Sequence, residues 1–117
     1  MNESFGRPAA QPEPAPLEAG NLLLELEGRV VTLDGQAILL THQEFELLRE
    51  LLAHRDKVLA QKALSVAIWG SNGQAEHKRL SVVICRLRKK LAASQPYAIE
   101  MVRGRGYGLV RPDLTPR

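Results

Sequence analysis

The spacing of apolar residues changes at Thr41, and this change constrains the fold more than any other feature of the sequence. Before Thr41, three short runs have the alternation of strands: residues 22–26, 29–33 and 36–40. Asp34-Gly35, between the last two runs, is typical of a tight hairpin turn. After Thr41, leucines recur at helical spacing behind a Thr41–Glu44 capping box. The sequence therefore predicts a small antiparallel sheet followed by helices, an α+β fold.

The rest of the pattern predicts three helices and a C-terminal hairpin. The helices are expected from about 41 to 54, from 61 to 69 and from about 76 to 93, and the strands at 98–102 and 107–110. Between the two strands lies Arg103-Gly104-Arg105-Gly106, where glycine permits the positive φ of a tight turn. This hairpin is expected to carry Arg103 at its base and Arg105 at its tip.

The two ends of the chain differ in composition from the middle. Residues 1–20 contain four of the seven prolines, which predicts a disordered Pro/Ala-rich linker or tail. We assign residues 21–112 to one folded domain and residues 113–117 to a C-terminal tail. A single cysteine predicts a reducing, cytoplasmic setting without a disulfide framework. The chain has no run of about 18 apolar residues, so no membrane span is expected.

Charge is divided unevenly between the two halves of the chain. Residues 1–56 carry four basic and ten acidic side chains, whereas residues 57–117 carry twelve basic and three acidic ones. This asymmetry favours a polyanion-binding face on one side of the molecule. The alternative is a chance imbalance of solvated surface charge.

The third helix is predicted to have one buried ridge and one cationic face. The ridge consists of Leu80, Ile84, Leu87 and Leu91. The opposite arc contains Lys78, Val82, Arg86 and Lys89, with Arg79 and Cys85 at its edges and Arg88 and Lys90 on its flanks. Glu76 alone offsets six basic residues, and like charges four positions apart repel each other. The DNA major groove admits one helix, so this face is predicted to contact DNA, with a merely solvated face as the alternative.

Four short motifs, in this order and spacing, are similar to those of one known family. They are Leu40-Thr41-x-x-Glu44-Phe45-x-Leu47-Leu48, Trp69-Gly70, Arg86-Leu87-Arg88-Lys89-Lys90-Leu91 and Val102-Arg103-Gly104-x-Gly106-Tyr107. Together they resemble the OmpR/PhoB-type winged-helix effector domain, the DNA-binding half of many bacterial two-component response regulators. The resemblance covers about residues 22–110.

The resemblance implies a winged helix-turn-helix whose N-terminal sheet packs on three helices, and it implies sequence-specific binding of double-stranded DNA for transcriptional regulation, with no cofactor. The third helix would be the recognition helix in the major groove, and residues 103–106 would form a wing near the minor groove. The predicted DNA-binding residues are Lys78, Arg79, Val82, Val83, Arg86, Lys89, Lys90, Arg103 and Arg105. The implied polymerase-contact loop consists of Gly70, Ser71, Asn72, Gly73 and Gln74. Tandem homodimers on direct repeats are implied as well.

Departures from the family pattern affect these expectations. Ala60-Gln61 stands where the family usually has Ser/Thr-Arg, so the second helix is expected to lack a side-chain cap and to make a weaker phosphate contact. The run from Lys78 to Val83 differs from the usual one, so a different target sequence or weaker specificity is expected. Residues 1–20 leave no room for a receiver domain, so either an excised effector domain or a stand-alone regulator is expected.

Other classes of function have less support. Enzymatic or metal chemistry is not expected, because His42, His54 and His77 lack ligand spacing and Cys85 has no CxxC partner. Cys85 is interpreted either as a small packing residue or as a redox-sensitive thiol near cations. The main rival is a winged-helix protein–protein adaptor with little specific DNA binding, which would have little use for the cations of the third helix.

Overall fold

The computed structural model describes residues 15–114 and contains seven strands and three helices within that range. The strands are β1 (Leu17–Ala19), β2 (Leu22–Glu25), β3 (Val30–Leu33), β4 (Gln36–Ile38), β5 (Val58–Leu59), β6 (Ala98–Val102) and β7 (Gly106–Val110). The helices are α1 (His42–Ala53), α2 (Gln61–Trp69) and α3 (Gln74–Lys90). This confirms the predicted winged helix, with one sheet before the helices and a hairpin after them.

The N-terminal sheet is antiparallel in the order β1-β2-β3-β4. Its last hairpin turns at Asp34-Gly35, where both residues have positive φ, as the sequence predicted. The predicted linker boundary at residue 20 is wrong, because β1 pairs with β2 and buries Ala19 completely. A strand of three residues is too short to show a recognisable alternation of apolar and polar residues. The backbone hydrogen bonds of β1 are made with β2. The rest of the predicted linker, residues 1–14, and residues 115–117 of the tail lie outside the described residues.

Helix α1 begins with the predicted capping box. The Glu44 amide donates to Thr41 Oγ1 at 3.2 Å, and the Thr41 amide donates to Glu44 Oε1 at 2.9 Å. Beyond the cap, α1 buries one face against the sheet and the other helices. The buried side chains of that face are Phe45, Leu47, Leu48, Leu51 and Leu52. The core therefore lies between the N-terminal sheet and the three helices.

The second sheet has the order β5-β7-β6 and holds the C-terminal hairpin against the domain. Strand β5 was not predicted, because a two-residue strand shows no periodicity. It pairs with β7 at Val58–Gly108 and Leu59–Tyr107. A Cβ on Gly106 would overlap the carbonyl oxygen of Leu59, so the glycine allows the two strands to approach. The wing is thereby fixed by three strands and not by two.

Helix α3 begins at Gln74 and ends at Lys90, so its predicted span of about 76–93 was shifted toward the C-terminus. The predicted ridge is confirmed, since its four residues Leu80, Ile84, Leu87 and Leu91 are all buried. The ridge holds α3 against α1 and α2, and the opposite side of the helix faces outward.

Candidate nucleic-acid interface

The outer face of α3 has the composition that the helical wheel predicted. Lys78, Val82, Arg86 and Lys89 are all exposed, and Val82 keeps 46% of its surface accessible. Within residues 15–114, none of the three cations has a carboxylate partner. The face is therefore a row of free cations around one apolar side chain. Such a row can contact phosphates and base edges but offers no pair of groups for acid–base chemistry.

Val83 does not belong to this face, and its assignment as a DNA-binding residue is wrong. Only 5% of its surface is accessible, and it packs in the core. The spacing already carried this signal, because residue 83 is three positions after Leu80 and four before Leu87, which places it on the buried ridge.

Lys90 also points away from the cationic face. Its Nζ donates to Glu44 Oε1 at 2.6 Å and to the carbonyl oxygen of Leu39 at 3.1 Å. These contacts join the C-terminal end of α3 to the start of α1. The prediction that Lys90 binds DNA is replaced by a structural role, which the sequence could not reveal because Glu44 lies 46 positions away.

The Glu44 side chain, which accepts the hydrogen bond from Lys90, is almost completely buried. Burial by itself would raise the pKa of Glu44, but the hydrogen bonds from Lys90 and Thr41 and the charge of Lys90 together lower that pKa below its ordinary value of 4.5. Glu44 is therefore an anion at neutral pH, and it completes both the helix cap and the ion pair.

The turn of the C-terminal hairpin projects two exposed arginines. Arg103 and Arg105 flank Gly104, whose φ of +76° closes the turn together with the bond from the Arg105 amide to the carbonyl of Val102 at 2.9 Å. Because Val102 pairs with Gly106, Gly104 is at the tip of the turn with one arginine on each side, so the prediction of Arg103 at the base and Arg105 at the tip is wrong. No carboxylate in the described part of the chain pairs with either arginine.

A groove of about 430 Å³ separates this turn from the first turns of α2 and α3. Gln61 and Lys62 line it from α2, His77 lines it from α3, and the hairpin supplies the opposite wall from Met101 to Gly106. Sequence reasoning did not assign Lys62 or His77 to any site, because the groove forms only when the hairpin folds back beside the helices. Ala60 gives α2 no side-chain cap, which confirms the predicted loss.

The loop between α2 and α3 is short and tied to α3. Ser71 Oγ donates to Glu76 Oε2 at 2.6 Å, and Asn72 Oδ1 lies 2.6 Å from His77 Nε2. The Ser71 hydroxyl lowers the pKa of Glu76, and the Glu76 backbone amide adds to this effect. Gln74, predicted to be in the loop, is the first residue of α3. The polymerase-contact assignment of residues 70–74 stays a prediction.

Two further residues at this surface have local explanations. The guanidinium of Arg79 lies 5.9 Å from the centre of the Trp69 ring, so its exposed side chain also contacts α2. Cys85 is exposed, so its interpretation as a packing residue is wrong. Among residues 15–114, no group of three acidic, histidine or cysteine side chains could hold a metal ion. In the same range, no helix is long and apolar enough to span a membrane.

Comparison with known proteins identifies a family. The family model described as "Transcriptional regulatory protein, C terminal" matches residues 35–109. The cell cycle response regulator CtrA of Brucella anthropi is 36% identical over 104 residues, which is 86% of this chain and 44% of that protein. CtrA of Brucella ovis gives the same identity and coverage. The chain thus spans less than half the length of these relatives.

Solved structures give a concordant picture. The DNA-binding domain of RstA from Klebsiella pneumoniae, solved in complex with the RstA box, is 32% identical, with a TM-score of 0.73 over 82% of this chain and 97% of that one. The DNA-binding domain of CpxR from E. coli is 30% identical, with a TM-score of 0.74 over 83% of this chain and 97% of that one. Both matches extend over almost the whole of the compared domains.

Proposed function

Because the chain belongs to the family of OmpR/PhoB-type winged-helix effector domains, we propose that it regulates transcription by binding specific sequences of double-stranded DNA. Helix α3 would lie in the major groove, and the wing would approach the adjacent minor groove. The observation that carries this proposal is the outer face of α3, where unpaired cations surround an exposed valine.

The dimensions and chemistry of α3 suit that role. Its 17 residues give a length of about 25 Å, and the major groove is about 12 Å wide. Arg86 has the planar donor fork that recognises the O6 and N7 atoms of guanine, and Val82 can contact a thymine methyl group. Lys78 and Lys89 extend the row on both sides and would contact phosphates, which fix the register of the helix.

The wing supplies the second proposed contact. Arg103 and Arg105 project on a turn that three strands support. A narrow minor groove has a more negative electrostatic potential than a wide one. An inserted arginine is attracted by that potential without forming a base-specific pair. We therefore assign sequence reading to α3 and shape reading to the wing.

Further partners are proposed by family membership. Residues 70–74 are the proposed RNA polymerase contact, and tandem homodimers on direct repeats are the proposed assembly. The proposal includes a location in the cytoplasm, since a transcription regulator acts where the bacterial chromosome is. It also includes the absence of catalysis. The RstA domain in complex with its box supports the DNA-binding part.

The Arg86→Ala variant tests the role of α3. We expect its affinity for a duplex selected from a random pool to fall about tenfold or more, because one bidentate contact discriminates by about 1–3 kcal/mol. Thermal stability should change little, since Arg86 is exposed. Titrations with selected and scrambled duplexes, together with melting curves, measure both effects.

Arg49→Ala is the matched control, because Arg49 lies on α1 and pairs with Glu46 at 2.8 Å. It should leave the affinity for DNA within about twofold of wild type. An Arg86→Ala variant that binds selected and scrambled duplexes as the wild type does would contradict the proposed reading of DNA by α3. A wild type that does not distinguish selected from scrambled duplexes would favour the protein–protein adaptor instead.

A further inference from the structure

The groove between the wing and the first turns of α2 and α3 has the chemistry of a site for one phosphate. Its cationic lining groups are Lys62, Arg103 and Arg105, and the described residues that line it include no carboxylate. None of the three cations pairs with an acid anywhere in residues 15–114. Like charges around one cavity repel each other, and a bound oxyanion converts that repulsion into attraction.

His77 lines the same groove and can add a further charge to it. Its Nε2 lies 2.6 Å from the side-chain oxygen of Asn72. An amide oxygen only accepts, so Nε2 carries the hydrogen and a further proton enters at Nδ1. Protonation therefore changes the charge of the ring and leaves intact the hydrogen bond that orients it.

Four basic side chains and one carboxylate lie around His77. Lys62 faces the groove from α2, Arg103 and Arg105 face it from the wing, and Glu76 and Lys78 flank the histidine on α3. The Ser71 hydroxyl lowers the pKa of Glu76, so this carboxylate stays an anion across the range of about pH 5–8 in which histidine ordinarily changes charge. Within this group, the histidine is the one side chain that can switch.

We infer that this groove binds one phosphate of the DNA backbone and that His77 contributes a proton-dependent contact to it. The inference rests on the proposed DNA-binding function and adds His77, a residue outside the outer face of α3, to its phosphate contacts. A phosphate favours the imidazolium form, so binding takes up a proton and the affinity for DNA increases as the pH falls. One phosphate contact changes the affinity about eightfold at about 0.1 M salt.

A labelled duplex is first selected at about pH 8. The affinity of the protein for this duplex is then measured at about pH 8 and at about pH 5.5 in equal salt. We expect the wild type to bind about fivefold to tenfold more tightly at the lower pH, with a salt slope steeper by about one. His77→Gln keeps a donor for Asn72 and should lose both responses. His77→Arg should bind at the higher pH as tightly as the wild type does at the lower one, without a pH response.

Two control variants separate this histidine from the others. His42 is the first residue of α1 and His54 follows its last residue. The variants His42→Gln and His54→Gln should both keep the full pH response. A wild type without a pH response, a His77→Gln variant that retains one, or a control that loses it would overturn the inference. In each of these outcomes the protein still binds DNA at about pH 8. A protein that binds no DNA at either pH value would overturn the proposed function itself. If His77→Gln fails to fold, the difference in wild-type salt slope between the two pH values and the response of His77→Arg still test the inference.

Discussion

At the scale of single residues, Gly106 shows how closely the wing depends on backbone geometry. Its φ is +144°, and a Cβ there would overlap the Leu59 carbonyl of β5. Gly104 also has positive φ, at +76°, but no atom lies within 4 Å of its hypothetical Cβ. The sequence predicted that glycines would serve the turn, which holds for Gly104. The requirement for close approach at Gly106 was not predictable, because β5 and its pairing were not visible in the sequence.

These two glycines give a matched pair of substitutions. Gly106→Ala should lower the free energy of unfolding by about 2–4 kcal/mol, since both strain and overlap oppose it. Gly104→Ala adds strain alone and should cost about 1 kcal/mol. Urea denaturation of the two variants measures the difference. Equal costs would mean that the contact between β5 and β7 does not constrain Gly106.

At the scale of secondary-structure elements, the Glu44–Lys90 pair connects the start of α1 to the end of α3. The pair positions α3 from its C-terminal end, while the buried ridge positions it along its length. The sequence predicted α1 and α2 almost to the residue, because periodicity and capping are local signals. It missed β1 because three residues show no clear alternation, and it missed β5 and the role of Lys90 because each depends on a partner distant in sequence.

The ion pair predicts a pH dependence of stability. The pKa of Glu44 is lowered in the folded protein, so its contribution is complete above the ordinary value of 4.5 and is lost as the pH falls through the lowered value. Glu44→Gln should therefore cost about 1–2 kcal/mol at neutral pH and much less at about pH 3. Urea denaturation at the two pH values measures this change.

Glu27→Gln is the control for this experiment, because Glu27 is exposed in the turn between β2 and β3. It should have little effect at either pH. A Glu44→Gln variant that is equally destabilised at both values would contradict a contribution from the charge of the carboxylate to the contact between α1 and α3.

At the scale of the whole molecule, the acidic and basic halves of the sequence form different parts of the fold. The acidic first half forms the sheet and α1, which support α3, and the basic second half contains α3, the wing and the groove between them. Composition and helical spacing predicted the cationic face. The groove could not be predicted, because Lys62, His77 and the wing meet only in the folded chain.

The salt dependence of DNA binding tests the central claim most directly. The full chain is titrated with a selected duplex at several salt concentrations, and the logarithm of the association constant is plotted against the logarithm of the salt concentration. Each phosphate contact contributes about −0.9 to the slope, so contacts from α3, the wing and the groove together predict a slope of about −3 to −6. A slope shallower than about −1, or no measurable affinity for any selected duplex, would contradict the account.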